Sequence, residues 1–133
     1  MIPIRQCAAY LHAVQQADWF AAAFAVHAVP VAVIGGAGGS AADSDRRRVK
    51  IGVNDRRDAR RCETSCLHEL AHIVTADVDV DGADREVVSG PGTSRGHHHA
   101  WRANFVFLVR MTLGNRAASR LRTEFTQWGL PTR

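Results

Sequence analysis

A chain of 133 residues with 46% hydrophobic and 23% charged residues has the size and composition of one globular domain, which excludes fibrous, disordered and multidomain proteins. Its formal net charge of +4 is a mild excess of arginine without the interleaved aromatic residues of a nucleic-acid surface. The cysteines, Cys7, Cys62 and Cys66, are too few and too unevenly spaced for a disulfide framework, so we expect free, buried thiols in the cytoplasm.

The first predicted elements are helices. Apolar residues recur at helical spacing over residues 4–14, and Asp18 is placed to cap a second short helix, 18–24. The apolar stretch 19–36 contains His27 and Pro30 and barely reaches the length of a bilayer span, so we expect no membrane association.

Two short β-branched runs then predict strands. Residues 29–34 end at two glycines, and residues 49–53 alternate before Asn54. We expect the Gly/Ala/Ser-rich segment 35–45 between them to be a mobile loop.

The next predicted helix, 60–75, is apolar over nearly its whole circumference, which indicates burial. Its His-Glu-Leu-Ala-His segment places His68 and His72 one turn apart on one face, where both can bind one ion. Glu69 then lies beside that ion and can take a proton from water, whose pKa a bound zinc lowers to about 7. The alternative, surface histidines beside a solvated carboxylate, conflicts with the apolar surroundings, in which unpaired charge is costly. We therefore predict a zinc site with Glu69 as general base.

A catalytic zinc usually binds three protein ligands. One known arrangement needs Gly three residues after the second His and another His three further on, but Thr75 and Val78 occupy these positions. Residues 77–96, acidic and then Gly/Pro/Ser-rich, are predicted to form a second mobile loop. The third ligand is therefore expected beyond that loop or within it.

The run His97-His98-His99 is the obvious source of the third ligand. We favour His97, because it follows Gly96 and precedes the apolar anchor Trp101 by four residues. His98 is the second choice, and both His98 and His99 are alternative ligands or oxyanion donors. Two further alternatives stay open: a histidine run that binds nothing, and a carboxylate ligand from Asp81, Asp84 or Glu86.

The remaining elements are helical. Apolar residues recur at helical spacing over 98–113, Gly114 interrupts the pattern, and Asn115 is placed to cap a last helix that reaches residue 128.

The motif residues of 67–72, with His97, Trp101 and Arg102, resemble the minimal zincin metallopeptidases of the SprT-like type. They are similar in particular to small metallohydrolases of actinobacteria and their phages. In that family the third zinc ligand is the His of a His-Gly-x-x-aromatic turn, and this chain departs from the turn at His98, where the family has Gly. The resemblance covers residues 49–129, and its helical tail is matched by Gly114, Ala118, Leu121 and Phe125.

The resemblance implies an α+β, zincin-like single domain, 1–133. A small two- to three-stranded sheet packs on helices, with a buried metal-binding helix and a helical C-terminal tail. It also implies that strand 49–53 is a sheet edge that pairs with extended substrate, the alternative being a plain core strand. We thus expect a cytoplasmic, zinc-dependent metallopeptidase that acts on a peptide or protein.

Two other functions stay open from the sequence. One is a nucleic-acid-associated or virion protein with a structural zinc, in which the arginine runs 46–48 and 56–61 associate weakly with phosphate. The ordinary interpretation of those runs is a solvated surface. The other is a zinc amidase of a non-peptide substrate. Neither the substrate nor the oligomeric state follows from the sequence.

Overall fold

The computed structural model describes residues 1–76, 97–130 and 132. It divides into two compact units, Met1–Val74 and Thr75–Arg133. Helices together with one small sheet confirm the expected α+β class. The predicted loop 77–96 lies outside the described residues. No helix within the described ranges has both the length and the apolar character needed to cross a bilayer.

The first unit begins with the two predicted helices, α1 (Ile4–Gln16) and α2 (Asp18–Ala23). The predicted apolar stripe of α1 is buried at Cys7, Leu11 and Val14. Asp18 is the first helical residue of α2 and not its N-cap. Ala17, whose backbone is still extended, occupies the N-cap position, and no side chain there accepts a capping hydrogen bond.

A buried amide fixes the end of α1 to the chain that enters the sheet. Gln15, 1% exposed, donates through Nε2 to the carbonyls of His27 and Val29 at 2.9 and 3.0 Å. Its Oε1 accepts a hydrogen bond from the N–H of Val31 at 3.1 Å. Burial of the amide is tolerated because these three bonds use both its donors and its acceptor.

The sheet contains β1 (Ala32–Gly36), β2 (Ala41–Asp43) and β3 (Arg48–Gly52) in the order β1-β3-β2. β1 runs parallel and β2 antiparallel to β3. The prediction of a loop over 35–45 is therefore wrong at Gly35 and Gly36, which end β1, and at β2, a strand of small residues that pairs with β3. Of the two roles left open for strand 49–53, the sheet edge is wrong and the core strand is confirmed: β3 is bonded on both sides, and its Val49 and Ile51 are fully buried.

The chain crosses itself closely at the end of β3. A Cβ at Gly52 would collide with the carbonyl oxygens of Gly38 and Gly39, so only glycine fits there. The N–H of Gly52 donates to Ser40 Oγ at 3.0 Å, and Asn54 N–H donates to Gly38 O at 3.1 Å. These bonds hold segment 38–40 against the chain that leads into the next helix.

That helix, α3 (Ala59–Thr75), matches the predicted 60–75 closely. Asp58 caps it, since its carboxylate accepts a hydrogen bond from the N–H of Arg61 at 2.9 Å. The expected burial is confirmed over most of the circumference, because the apolar residues of its last ten positions are at most 5% exposed: Cys66, Leu67, Leu70, Ala71, Ile73 and Val74.

The second unit contains α4 (His99–Leu113) and α5 (Asn115–Gln127), joined by Gly114 with a φ of 97°. Asn115 is the first residue of α5 and not its cap, a position that Gly114 takes without a side-chain bond. The core is aromatic: the Trp101 ring lies 5.1 Å from Phe105 and 6.2 Å from Phe125, centroid to centroid.

Candidate metal centre

His68 and His72 lie on the C-terminal half of α3, as the sequence predicts. Their ring centroids are 5.2 Å apart and their planes are inclined by 62°. Each offers a ring nitrogen within 4.8 Å of the other's. Two nitrogens bound to one zinc at about 2.1 Å lie about 3.4 Å apart at the tetrahedral angle, so a small rotation of the rings suffices. Both imidazoles are half-buried, and the pair is therefore able to bind a metal ion.

Glu69 is the buried acid beside these imidazoles. It is 6% exposed, and its Oε2 lies 4.0 Å from Nε2 of His68. Burial raises the pKa of Glu69 to about 7, and the negative charge of Asp55 adds to the rise. A carboxyl group with that pKa exchanges protons readily near neutral pH, which is what a general base requires.

Asp55 is a charged neighbour that the sequence pattern did not reveal. Its carboxylate accepts hydrogen bonds from Ser40 Oγ at 2.6 Å and from Arg61 Nε at 3.1 Å. Burial raises the pKa of Asp55, but these bonds and the charge of Arg61 outweigh burial, so its pKa lies below the ordinary 3.8. Asp55 therefore stays ionised and contributes a fixed negative charge near Glu69. It precedes α3 in a short turn, so no periodicity identifies it in advance.

His97 belongs to the second unit and is the first described residue after position 76. Its ring stacks on Trp101 with centroids 4.2 Å apart, and its carbonyl accepts a hydrogen bond from Nη1 of Arg102 at 2.9 Å. The expected anchoring by Trp101 is thus observed. Partial burial lowers the pKa of His97, and Arg102 and His98 lower it further. A neutral imidazole is favoured, which is the form that binds metals.

The two neighbouring histidines have different places. His98 is the N-cap of α4, and its Nδ1 accepts a hydrogen bond from the N–H of Trp101 at 3.4 Å. His99 is the first residue of α4. The capping bond occupies one ring nitrogen of His98. The His98 ring is therefore less free to turn toward a metal ion than the ring of an uncapped loop residue would be. The alternative carboxylates Asp81, Asp84 and Glu86 lie outside the described residues.

Most arginine side chains of the two runs contact other residues of this chain. Arg56 is buried and donates two hydrogen bonds to main-chain carbonyls at 3.1 and 3.2 Å. Arg47 donates to a main-chain carbonyl at 2.7 Å. Arg46 and Arg48 lie 3.7 and 3.9 Å from the carboxylate of Asp43. These contacts favour a structural role for the four arginines, and association with nucleic acid stays a prediction.

A second group of potential ligands lies elsewhere in the first unit. The thiols of Cys7, Cys62 and Cys66 are all buried, and their sulfur atoms lie within 4.8 Å of one another. The sequence predicted that the three thiols are free and buried. It did not bring the three together, because the packing of α1 against α3 is a tertiary contact without a local signal.

Comparison with known proteins gives no relative: no family model, curated protein or solved structure matches this chain.

Proposed function

We propose that the protein is a zinc-dependent metallohydrolase, and foremost a peptidase. The observation that carries the proposal is geometric: the buried carboxyl group of Glu69 lies 4.0 Å from His68, one of two imidazoles that are one helical turn apart. Burying an unpaired acid in an apolar helix is costly, and an adjacent divalent cation would offset that cost. Structural packing alone gives no reason for this combination.

His68 and His72 would hold the ion, and we assign the third position to His97. The neutral state favoured for His97 and its anchoring on Trp101 support this choice over His98, which caps α4. Arg102 has a positioning role here, because its guanidinium binds the carbonyl of His97. When bound, zinc supplies a Lewis acid that polarises a carbonyl and acidifies water.

Glu69 performs the proton transfers. Its carboxylate accepts a proton from the attacking water and then gives that proton to the departing amine, so the carboxylate is regenerated in each turnover. Asp55 keeps the proton affinity of Glu69 high by repelling its negative charge. Because this chemistry acts on any amide carbonyl, a zinc amidase of a non-peptide substrate uses the same residues.

The test compares Glu69→Gln with Glu63→Gln, a matched substitution on the same helix. Hydrolysis is measured on a quenched-fluorescent peptide library, a denatured protein and simple amides, and zinc by elemental analysis. We expect Glu69→Gln to lower turnover by about 10² to 10⁴-fold, the usual contribution of a general base. Its zinc content should equal that of the wild type, and Glu63→Gln should be fully active. Equal activity of the two variants, or a wild type that retains no zinc, contradicts the proposal.

Single alanine substitutions of His97, His98 and His99 then identify the third ligand. We expect only His97→Ala to lose both zinc and activity. Full zinc content in His97→Ala, with loss in His98→Ala or His99→Ala, reassigns the ligand within the same proposed function.

A further inference from the structure

The thiol cluster, defined as Cys7, Cys62 and Cys66, joins two helices within the first unit. Cys7 lies on α1 and the other two lie one turn apart on α3. The sulfur atoms of Cys7 and Cys62 are 3.2 Å apart, and all three lie within 4.8 Å of one another. Three sulfurs bound to one ion at about 2.3 Å lie about 4 Å apart in a trigonal plane, a separation that falls within the 4.8 Å limit and exceeds the Cys7–Cys62 distance by less than about 1 Å.

A cavity leads to the cluster. Its volume is about 340 Å³, and all three cysteines line it. The remaining wall includes the apolar Ile2 and Ala59 and the polar Gln6 and Glu63. An ion can therefore reach sulfur atoms that belong to buried residues, without the helices having to separate.

The positions of Cys7 and Cys62 in their helices favour negative charge on their sulfur atoms. Cys7 is the fourth residue of α1 and Cys62 the fourth residue of α3, so each lies at the end of a first turn. The N-terminal end of a helix favours negative charge. The guanidinium of Arg56 also favours the thiolate of Cys62. Together they offset part of the negative charge that three thiolates would bring.

Without an ion the thiols of Cys62 and Cys66 are protonated. Burial raises the pKa of Cys62 to about 12, with the neighbouring Cys7 adding to the rise, and burial raises the pKa of Cys66 even more strongly. Neutral buried thiols are poor nucleophiles and resist oxidation.

We propose that the thiol cluster is a binding site for a soft monovalent cation, Cu(I), held in a trigonal set of three sulfurs. Thiolate ligands select Cu(I) and zinc, but structural zinc is almost always four-coordinate, whereas the cluster offers three sulfurs. Binding replaces the three S–H protons by three S–Cu bonds and releases the protons to solvent. No electron is transferred. The site is independent of the proposed hydrolase centre.

The test titrates the full-length, fully reduced protein with Cu(I) under anaerobic conditions, with bathocuproine disulfonate as competitor. The chain used is the double variant His68→Ala/His72→Ala, so the outcome does not depend on the hydrolase proposal. We expect uptake of one Cu(I) per chain, thiolate-to-copper charge-transfer absorption in the ultraviolet, and an X-ray absorption spectrum with sulfur neighbours alone.

Single Cys7→Ser, Cys62→Ser and Cys66→Ser substitutions should each weaken uptake by at least about 100-fold, more than the loss of an outer-shell contact. Ser65→Ala, on the same helix, is the matched control and should bind as before. If a serine variant does not fold, the X-ray absorption spectrum of the His68→Ala/His72→Ala protein decides. Nitrogen or oxygen in the copper shell, no uptake, or a Cys7–Cys62 disulfide in place of bound copper overturns the proposal.

Discussion

The two halves of α3 carry similar spacings and opposite chemistry. The N-terminal half has thiols at Cys62 and Cys66, one turn apart and at most 5% exposed, and the C-terminal half has imidazoles at His68 and His72, also one turn apart and half-buried. At about 100° per residue, the two pairs are separated by about 120° around the helix. One helix can thus present two pairs of potential metal ligands in different directions. The two pairs differ in how deeply their side chains are buried.

The depth of burial distinguishes the pairs further. The thiols are protonated groups that an apolar core accepts without help. Glu69, beside the imidazoles, is an acid whose ionisation the core opposes. The C-terminal half therefore has a buried acid beside its imidazole pair, whereas Glu63, the acid of the N-terminal half, is only half-buried.

The largest effect is expected from a substitution that removes metal binding by the C-terminal half of α3 and leaves the N-terminal half unchanged. His72→Ala should abolish zinc binding at the imidazole pair and lower hydrolysis by at least about 10³-fold, because the ion supplies several kcal/mol of transition-state stabilisation. Cu(I) uptake by the thiol cluster should be unchanged, as followed by its charge-transfer absorption. Loss of both signals from one substitution would show that the halves are not independent.

The next effect concerns stability without metal. The pKa of Glu69 rises from 4.5 to about 7 on folding, so between these values the unfolded chain loses a proton that the folded chain keeps. Stability should therefore fall as pH rises through this window. Above it, metal-free Glu69→Gln should be more stable than the wild type by up to about 3 kcal/mol, at about 1.4 kcal/mol per pKa unit.

Urea unfolding at pH 5 and pH 8 in the presence of a chelator measures this difference. Cys66→Ala provides the comparison from the other half of the helix, since it removes no group that ionises in the window. An equal pH dependence for Glu69→Gln and the wild type would contradict the assigned burial of the acid.

A smaller effect is expected at Asp55. Asp55→Asn should cost about 1 to 2 kcal/mol at pH 7, because charge-assisted hydrogen bonds from Ser40 and Arg61 are weakened. The lowered pKa of Asp55 contributes stability above pH 3.8, and this contribution is lost as pH falls through the folded pKa. The cost should therefore vanish in strong acid, which acid titration of the two proteins' unfolding midpoints would reveal.

The smallest effect is expected at Arg61, whose side chain is 63% exposed. Solvent screens its ion pair with Asp55, so Arg61→Ala should cost less than about 1 kcal/mol. A thermal melt at low and high salt checks this, and a cost above that of Asp55→Asn would show that the arginine, and not Ser40, holds the carboxylate.

Local patterns predicted most of the helices and the metal motif, because amphipathic spacing and the i, i+4 histidines are properties of short segments. β2 was missed because Ala41 and Ala42 have weak strand propensity, and only pairing with β3 makes them a strand. The expectation that β3 is a sheet edge was wrong for a related reason: the order of strands in a sheet depends on tertiary pairing and has no local sequence signal. The charge of Asp55 near Glu69 and the convergence of the three thiols could be identified only from the fold, because each depends on residues that are distant in sequence.

The crossing of the chain at Gly52 has a consequence for any survey of substitutions. Every side chain larger than hydrogen would strike main-chain atoms there, so a mutational scan scored only by the proposed hydrolase activity would rank Gly52 beside His68. A second score, the amount of folded protein in each clone, separates them: variants of Gly52 would disappear from the soluble pool, whereas variants of His68 would accumulate as inert protein.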